Sequence, residues 1–234
     1  MKASLYLIPV PLGDSPIERV LPAYNRKIIL DIKYFIVENE RTARRFLKKT
    51  DPSIDVDALT FYLLNKHTVP EEVSSFLRPL EEGFAMGILS EAGCPAIADP
   101  GSEVVKIAQQ KQIPVIPLVG PSSILLSLMA SGFNGQRFAF SGYLAVDPEQ
   151  RIRELKSLEQ KIYNENQTQI FIETPYRNNK LIETVLKTCK PATKLCIAAN
   201  ITAANECIQT RSIKEWMGKV PDLSKQECIF LLFV

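Results

Sequence analysis

Residues 85–101 read Ala85-Met86-Gly87-Ile88-Leu89-Ser90-Glu91-Ala92-Gly93-Cys94-Pro95-Ala96-Ile97-Ala98-Asp99-Pro100-Gly101. Ala85–Leu89 is a short apolar run of the kind that forms a buried strand. Ser90–Gly101 is rich in glycine and proline and reads as a long loop. The pattern predicts a helix over 102–112 and a strand over Pro114–Leu118. A strand, a long loop, a helix and a second strand form one unit of a parallel α/β sheet. Loops of this length inside a compact domain are usually functional.

The same alternation extends outward in both directions. Toward the N-terminus, Leu5–Ile8 is a strand that runs into the loop Pro9-Val10-Pro11-Leu12-Gly13-Asp14. Ser15-Pro16-Ile17-Glu18 reads as a capping box with proline at the first helical position. Residues 27–37 are expected to hold one or two strands, 40–49 a helix, 58–64 a strand and 70–82 a helix. Toward the C-terminus, Val119-Gly120-Pro121-Ser122-Ser123 opens an apolar helix over 123–131. After Gly132 the pattern starts afresh. Strands are expected at 138–143, 170–173, 194–199, 206–210 and 227–234, with helices at 148–165, 176–188 and 212–218. The fold class is therefore α/β with two domains. An N-terminal domain, 1–119, has a parallel sheet and Gly/Pro-rich loops, and a C-terminal domain, 120–234, has a mixed sheet.

Composition narrows the chemistry. The chain has 234 residues, 46% hydrophobic and 23% charged, which suits a globular protein. A single histidine, His67, excludes multi-histidine zinc sites and makes any Ser-His or Cys-His catalysis depend on one residue. It reads as a surface side chain, and no metal site is expected. No GxSxG, GxGxxG or GxxxxGK[ST] string occurs, which argues against serine hydrolases with that elbow, dinucleotide-binding Rossmann enzymes and P-loop NTPases. The net charge of +2 does not by itself indicate a nucleic-acid binder. Five cysteines without a CxxC pair read as free thiols of a reducing, cytoplasmic compartment. No run approaches the roughly 20 apolar residues of a membrane span.

Three Gly/Pro-rich loops, 9–14, 90–101 and 119–123, each follow an expected strand of the first domain. In open α/β sheets ligands bind beyond the carboxyl ends of the strands. The three loops therefore converge on one crevice. Their N–H groups, with helix N-termini at Ser102 and Ser122, suit an anionic group. Glu38, Glu91, Asp99 and Glu173 sit at or just beyond expected strand ends. On helix 40–49, Arg41, Arg44, Arg45 and Lys48 share one face, a stripe suited to phosphates. Ala43, Phe46 and Leu47 lie on another and are expected to pack inward.

The strings LYLIPVPLGD, VENERTARRFL, LSEAGCPAIADPG, LVGPSS and FIETPYR occur in this order. Together they resemble the tetrapyrrole methylase superfamily, and within it the branch that methylates cytidine 2′-hydroxyls of small-subunit ribosomal RNA. The resemblance implies two α/β domains with S-adenosylmethionine in the cleft between them, and a homodimer. It assigns Pro9, Pro11, Gly93, Cys94, Ile97, Ser122, Ser123 and Ile172 to the cofactor. It places Glu38 or Glu173 at the acceptor, with Asp99 shaping its own loop. Arg41, Arg44, Arg45 and Arg177 are the expected RNA contacts. The chain also departs from the family. Val10 and Cys94 stand at threonine positions, Asn39 at an aspartate and Tyr176 at a histidine. Ala198–Ala203 reads AANITA where the family has ARELTK. These departures leave two other readings open. One is a methyltransferase acting on a tetrapyrrole or another small molecule. The other is a cofactor- or RNA-binding module without catalysis.

Overall fold

A computed structural model describes residues 2–64 and 68–234. His67 lies outside the described residues. The chain divides into two compact units, Met1–Ser122 and Ser123–Val234.

The first unit runs β1 (Leu5–Ile8), α1 (Ile17–Val20), α2 (Ala23–Asp31), β2 (Tyr34–Val37), α3 (Glu40–Thr50), a 3-10 turn (Val56–Ala58), β3 (Thr60–Leu63), α4 (Pro70–Phe76), α5 (Arg78–Glu81), β4 (Met86–Leu89), α6 (Gly101–Gln110) and β5 (Val115–Pro117). Every strand pair is parallel, in the order β3-β2-β4-β1-β5. Strand alternation sends Ile8, Phe35 and Leu89 to one face, against Ile28, Ile29 and Leu47. It sends Leu5, Ile36, Met86 and Ile88 to the other, against Phe76, Leu77 and Val104. Both faces are thus covered, as a parallel sheet requires. The chain leaves β1 toward β2 and leaves β4 toward β5, in opposite directions across the sheet. The order therefore reverses between two neighbouring strands, the place where such sheets take ligands.

The second unit runs α7 (Ser123–Ser131), β6 (Phe138–Tyr143), α8 (Pro148–Glu165), β7 (Thr168–Ile172), α9 (Asn178–Thr188), β8 (Lys194–Ala199), β9 (Cys207–Ser212), α10 (Ile213–Trp216) and β10 (Cys228–Phe233). Its order is β6-β7-β10-β8-β9, with β6 and β7 parallel and the other pairs antiparallel. Asp147 caps α8 by accepting from Gln150 N–H at 2.8 Å, and Pro148 follows at the first helical position. Leu155, Leu158 and Ile162 face the core along with Phe171 and Phe230. Trp216 is buried there, donating its indole N–H to Leu195 O at 2.8 Å.

Two expectations fail and a third holds in part. Of residues 27–37 only Tyr34–Val37 is strand, and 27–31 are the end of α2. Asn25, Ile28, Ile29 and Ile32 are buried at i, i+3, i+4 and i+7, a helical period hidden in a short apolar run. The capping box at Ser15–Glu18 does not form. Pro16 is the N-cap of a one-turn α1, and no side chain caps that turn. The helix expected over 70–82 breaks at Leu77 into α4 and α5, because Pro79 cannot donate the hydrogen bond that would continue it. Among the described residues no helix is long and apolar enough to cross a membrane. All five cysteines are free.

Candidate functional site

The loops after β4, β1 and β5 leave three adjacent strands. Val10 and Gly93 form an antiparallel bridge, with Val10 N–H donating to Gly93 O at 2.9 Å and Gly93 N–H donating to Val10 O at 3.2 Å. Gly93 has φ +71°, a conformation that disfavours side chains, and a Cβ there would sit 3.0 Å from Leu12 and 3.4 Å from Pro121 O. Pro9 is buried beneath Gly120, where a Cβ would approach its Cγ to 2.2 Å. The Cys94 thiol donates to Pro121 O at 3.4 Å, and burial pushes it up, away from the reactive thiolate. The three loops are thereby stitched into one layer.

Asp99 fixes the curve of the longest loop. Its Oδ1 accepts from Ala96 N–H and Gly101 N–H, each at 2.8 Å. Ala96 and Ala98 lie in the left-handed region at φ 66° and 58°. Residues with a Cβ avoid that region unless their surroundings hold them there. The N–H at the start of α6 is therefore engaged by Asp99, rather than offered to a ligand as the sequence suggests. Between the two alanines Ile97 stands 54% exposed, an apolar side chain at the tip of a strained loop.

Beside this layer lie three carboxylates. Glu38 follows β2 and is half-buried. Its carboxyl is held above the usual range by burial and by the neighbouring charges of Asp99 and Glu91, partly offset by the Glu91 N–H. Burial also raises Asp99, against its two N–H donors. Glu91 Oε1 accepts from the Thr42 hydroxyl at 2.7 Å.

Helix α3 is capped by Asn39, whose side chain accepts from Arg41 N–H at 2.9 Å and Thr42 N–H at 3.4 Å. A pocket of about 260 Å³ lies between α3 and the loop after β1. Its apolar lining includes Val10, Val37, Leu89 and Phe46, and its polar side chains are Thr42, Arg45, Lys49, Ser90 and Glu91. The α3 row facing the pocket is thus Thr42, Arg45, Phe46 and Lys49, not the Arg41-Arg44-Arg45-Lys48 stripe. Arg44 is committed elsewhere. It donates to Glu40 at 2.8 Å and Asp57 at 2.6 Å, and stands over the Phe61 ring. Arg41 is exposed, and Pro11 lines the pocket. Sequence reasoning missed Thr42 and Lys49, although their i, i+7 spacing was readable.

In the second unit, Glu173 follows β7 with its side chain fully buried. Its Oε1 accepts from Thr174 N–H at 2.6 Å and from Arg177 Nε at 2.9 Å and Nη2 at 2.6 Å. Glu173, one of the two carboxylates expected at the acceptor, thus binds Arg177, one of the expected RNA contacts. Ile172 ends β7 opposite Ile229, and Ser123 opens α7. Ala198 and Ala199, in the segment where the family carries charges, are core residues at 0% and 1% exposure.

This architecture matches solved structures over nearly its whole length. The methyltransferase CobJ superimposes with a TM-score of 0.66 at 14% identity, covering 98% of this chain and 93% of that one. The chain has the fold of the tetrapyrrole methyltransferases. A cobalt precorrin-4 methyltransferase, CbiF, gives 0.62 at 12% identity, covering 99% and 95%. No family model matches the chain. Among curated proteins it is similar to ribosomal RNA small subunit methyltransferase I of Pasteurella multocida, 28% identical over 74% of this chain and 61% of that protein. The Vibrio cholerae protein of the same name is 27% identical over 97% of this chain and 76% of that protein. The Escherichia coli O157:H7 protein is 25% identical over 99% and 78%. The chain thus spans between about three fifths and four fifths of these relatives.

Proposed function

We propose that the chain is an S-adenosylmethionine-dependent methyltransferase acting on a cytidine 2′-hydroxyl of small-subunit ribosomal RNA. The observation that carries this reading is Glu38. It is a half-buried carboxylate beside the three-loop layer, held above its usual range by burial and by the acids Asp99 and Glu91. A ribose hydroxyl is a weak nucleophile and needs a proton acceptor in or near the transition state. A carboxyl raised by burial and by neighbouring acids suits that task. Glu173 does not, because its side chain is fully buried and its carboxylate is already paired with the Arg177 guanidinium. We therefore assign the base to Glu38 and give Glu173 the role of fixing Arg177.

The loop layer fits the cofactor. Gly93 leaves room only for backbone, Ile97 offers an apolar side chain to a ring, and the adjoining acids oppose no positive sulfur. Bound S-adenosylmethionine supplies a methyl carbon activated by its sulfonium. Gly93, Cys94 and Ile97, with Pro11 and Ser122, hold it, while Pro9 acts from behind through Gly120. Ser123 and Ile172 on the second unit are assigned to the cofactor by resemblance alone. The protein's work is to orient the acceptor and exclude water, which carries much of the rate in such displacements. Arg41 and Arg45 meet RNA phosphates, and Arg44 stiffens α3 through its acids. The same resemblance supports a homodimer, and the five free cysteines support a reducing, cytoplasmic compartment.

The deciding experiment incubates the purified chain with labelled S-adenosylmethionine and small-subunit particles from a strain lacking the gene, then digests the RNA to nucleosides. Labelled 2′-O-methylcytidine is expected. Transfer to a porphyrinoid but not to RNA would replace the acceptor, and no transfer to either would leave a binding module.

A further inference from the structure

We infer that the pocket between α3 and the loop after β1 is the subsite for the acceptor base, and that it selects a base bearing an exocyclic amine. This rests on the methyltransferase reading above. It goes further in assigning Thr42, Phe46, Lys49 and Glu91 to the acceptor base. Four observations meet here.

The first is size. At about 260 Å³ the cavity is just under the range of pockets for drug-sized ligands, so it suits one nucleotide base rather than a whole cofactor. The second is position. The pocket spans the ends of β2, β4 and β1, and of the loop residues given to the cofactor only Pro11 lines it. It also abuts the proposed base, since Val37 and Glu91 line it and Glu38 follows Val37 and takes the Glu91 N–H.

The third is charge. Arg45 and Lys49, one turn apart on α3, both line the pocket. Cations repel a sulfonium and attract a phosphate. Among the described residues Lys49 is paired with the fully exposed Asp14 at 2.9 Å, a contact that a phosphate can replace at little cost. The fourth is the polar end. The Thr42 hydroxyl donates to Glu91 Oε1, which orients the carboxylate and leaves Oε2 to accept. A carboxylate accepts from the amine of cytosine but meets only a carbonyl oxygen at the same place in uracil. Phe46 adds an aromatic wall, and aromatic side chains stack on bases without regard to sequence.

The test is a titration of the full chain with cytidine 5′-monophosphate, uridine 5′-monophosphate and cytidine, followed by amide chemical shifts. Cytidine monophosphate should shift the amides of Thr42, Phe46, Lys49 and Glu91 and bind about fivefold more tightly than the uridine form, as one charge-assisted hydrogen bond allows. Glu91→Gln should level or invert that preference. Arg45→Glu should weaken the nucleotide about tenfold and leave the nucleoside unchanged, whereas Lys161→Glu on the second unit should change neither. Equal affinity for the two nucleotides, or shifts confined to 93–97 and 120–122, overturns the inference. Methyl transfer to small-subunit particles is measured in parallel. Transfer by a protein that fails the titration overturns the subsite alone. A successful titration without transfer overturns the function and leaves the subsite standing.

Discussion

Gly120→Ala adds one carbon where the structure has no space for it. The new Cβ would lie 2.2 Å from Pro9 Cγ, 2.3 Å from Pro9 Cβ and 3.1 Å from Leu21 Cδ2. Ordinary carbon contacts need about 3.5 Å, so the loops after β1 and β5 must separate by roughly 1.3 Å. Pro9 cannot yield by rotating, because its side chain is a ring closed on its own backbone and is buried. Overpacking of this kind costs about 1–3 kcal/mol. For a chain of this length that lowers the melting temperature by roughly 2–12 °C. The functional loss should be larger than the thermal one. The same displacement reaches the Val10–Gly93 bridge and the Cys94–Pro121 contact, which set the cofactor loops. A shift of about 1 Å at a reacting group can cost on the order of a hundredfold in rate. The assay pairs differential scanning calorimetry with isothermal titration of S-adenosylmethionine, for Gly120→Ala alone and combined with Pro9→Gly. The double variant should recover most of the loss, since it removes the ring that the methyl group strikes. A single variant with unchanged melting and unchanged cofactor affinity would refute the stitched-loop reasoning. So would a double variant no better than the single.

Three further outcomes follow from the site. Glu38→Gln should lower the rate of methyl transfer about 10²–10⁴-fold, and the wild-type rate should rise with pH through an inflection above the ordinary carboxylate range. The folded carboxyl is raised, so its contribution to stability is present below the unfolded value and is lost as pH rises through the folded one. Urea midpoints should therefore favour Glu38→Gln over wild type at neutral pH, an advantage that fades on acidification; a less stable variant at neutral pH would count against the raised carboxyl. Asp99→Ala strands the N–H groups of Ala96 and Gly101 and releases two left-handed alanines. It should cost about 1–3 kcal/mol and weaken cofactor binding, and unchanged titration heats would argue against that loop as a cofactor site. Glu173→Gln breaks a buried carboxylate from a guanidinium that is 34% exposed, for a loss of about 1–3 kcal/mol read as a lower melting temperature. Its transfer rate should fall far less than that of Glu38→Gln, and the reverse order would exchange their roles.

Much of this protein was legible in its residues alone. The strand–loop–helix–strand run at 85–118 carries its own period and its own punctuation, and both survive in β4, α6 and β5. The ordered strings likewise indicated the fold, because Gly and Pro at such loops answer to backbone geometry that few sequences satisfy. The readings that failed were local ones. Ile28, Ile29 and Leu30 look like a strand until burial picks out Asn25, Ile28, Ile29 and Ile32. Ser15 and Glu18 have the spacing of a capping box, yet Pro16 starts the turn one residue too late for it.

What only the tertiary structure decided is which groups meet. From sequence Glu38 and Glu173 were equal candidates for the base, since both follow a strand. Long-range neighbours separate them. Burial, with Asp99 and Glu91 more than fifty residues along the chain, raises Glu38, whereas Arg177 occupies Glu173. Likewise four basic residues on α3 looked like one stripe. Asp57 and Phe61 withdraw Arg44 from it, and the loop after β1 turns Arg45 and Lys49 into a pocket wall. Periodicity records which face of a helix a side chain occupies. It cannot record what the rest of the chain brings against that face, and the electrostatics of a site depend on that.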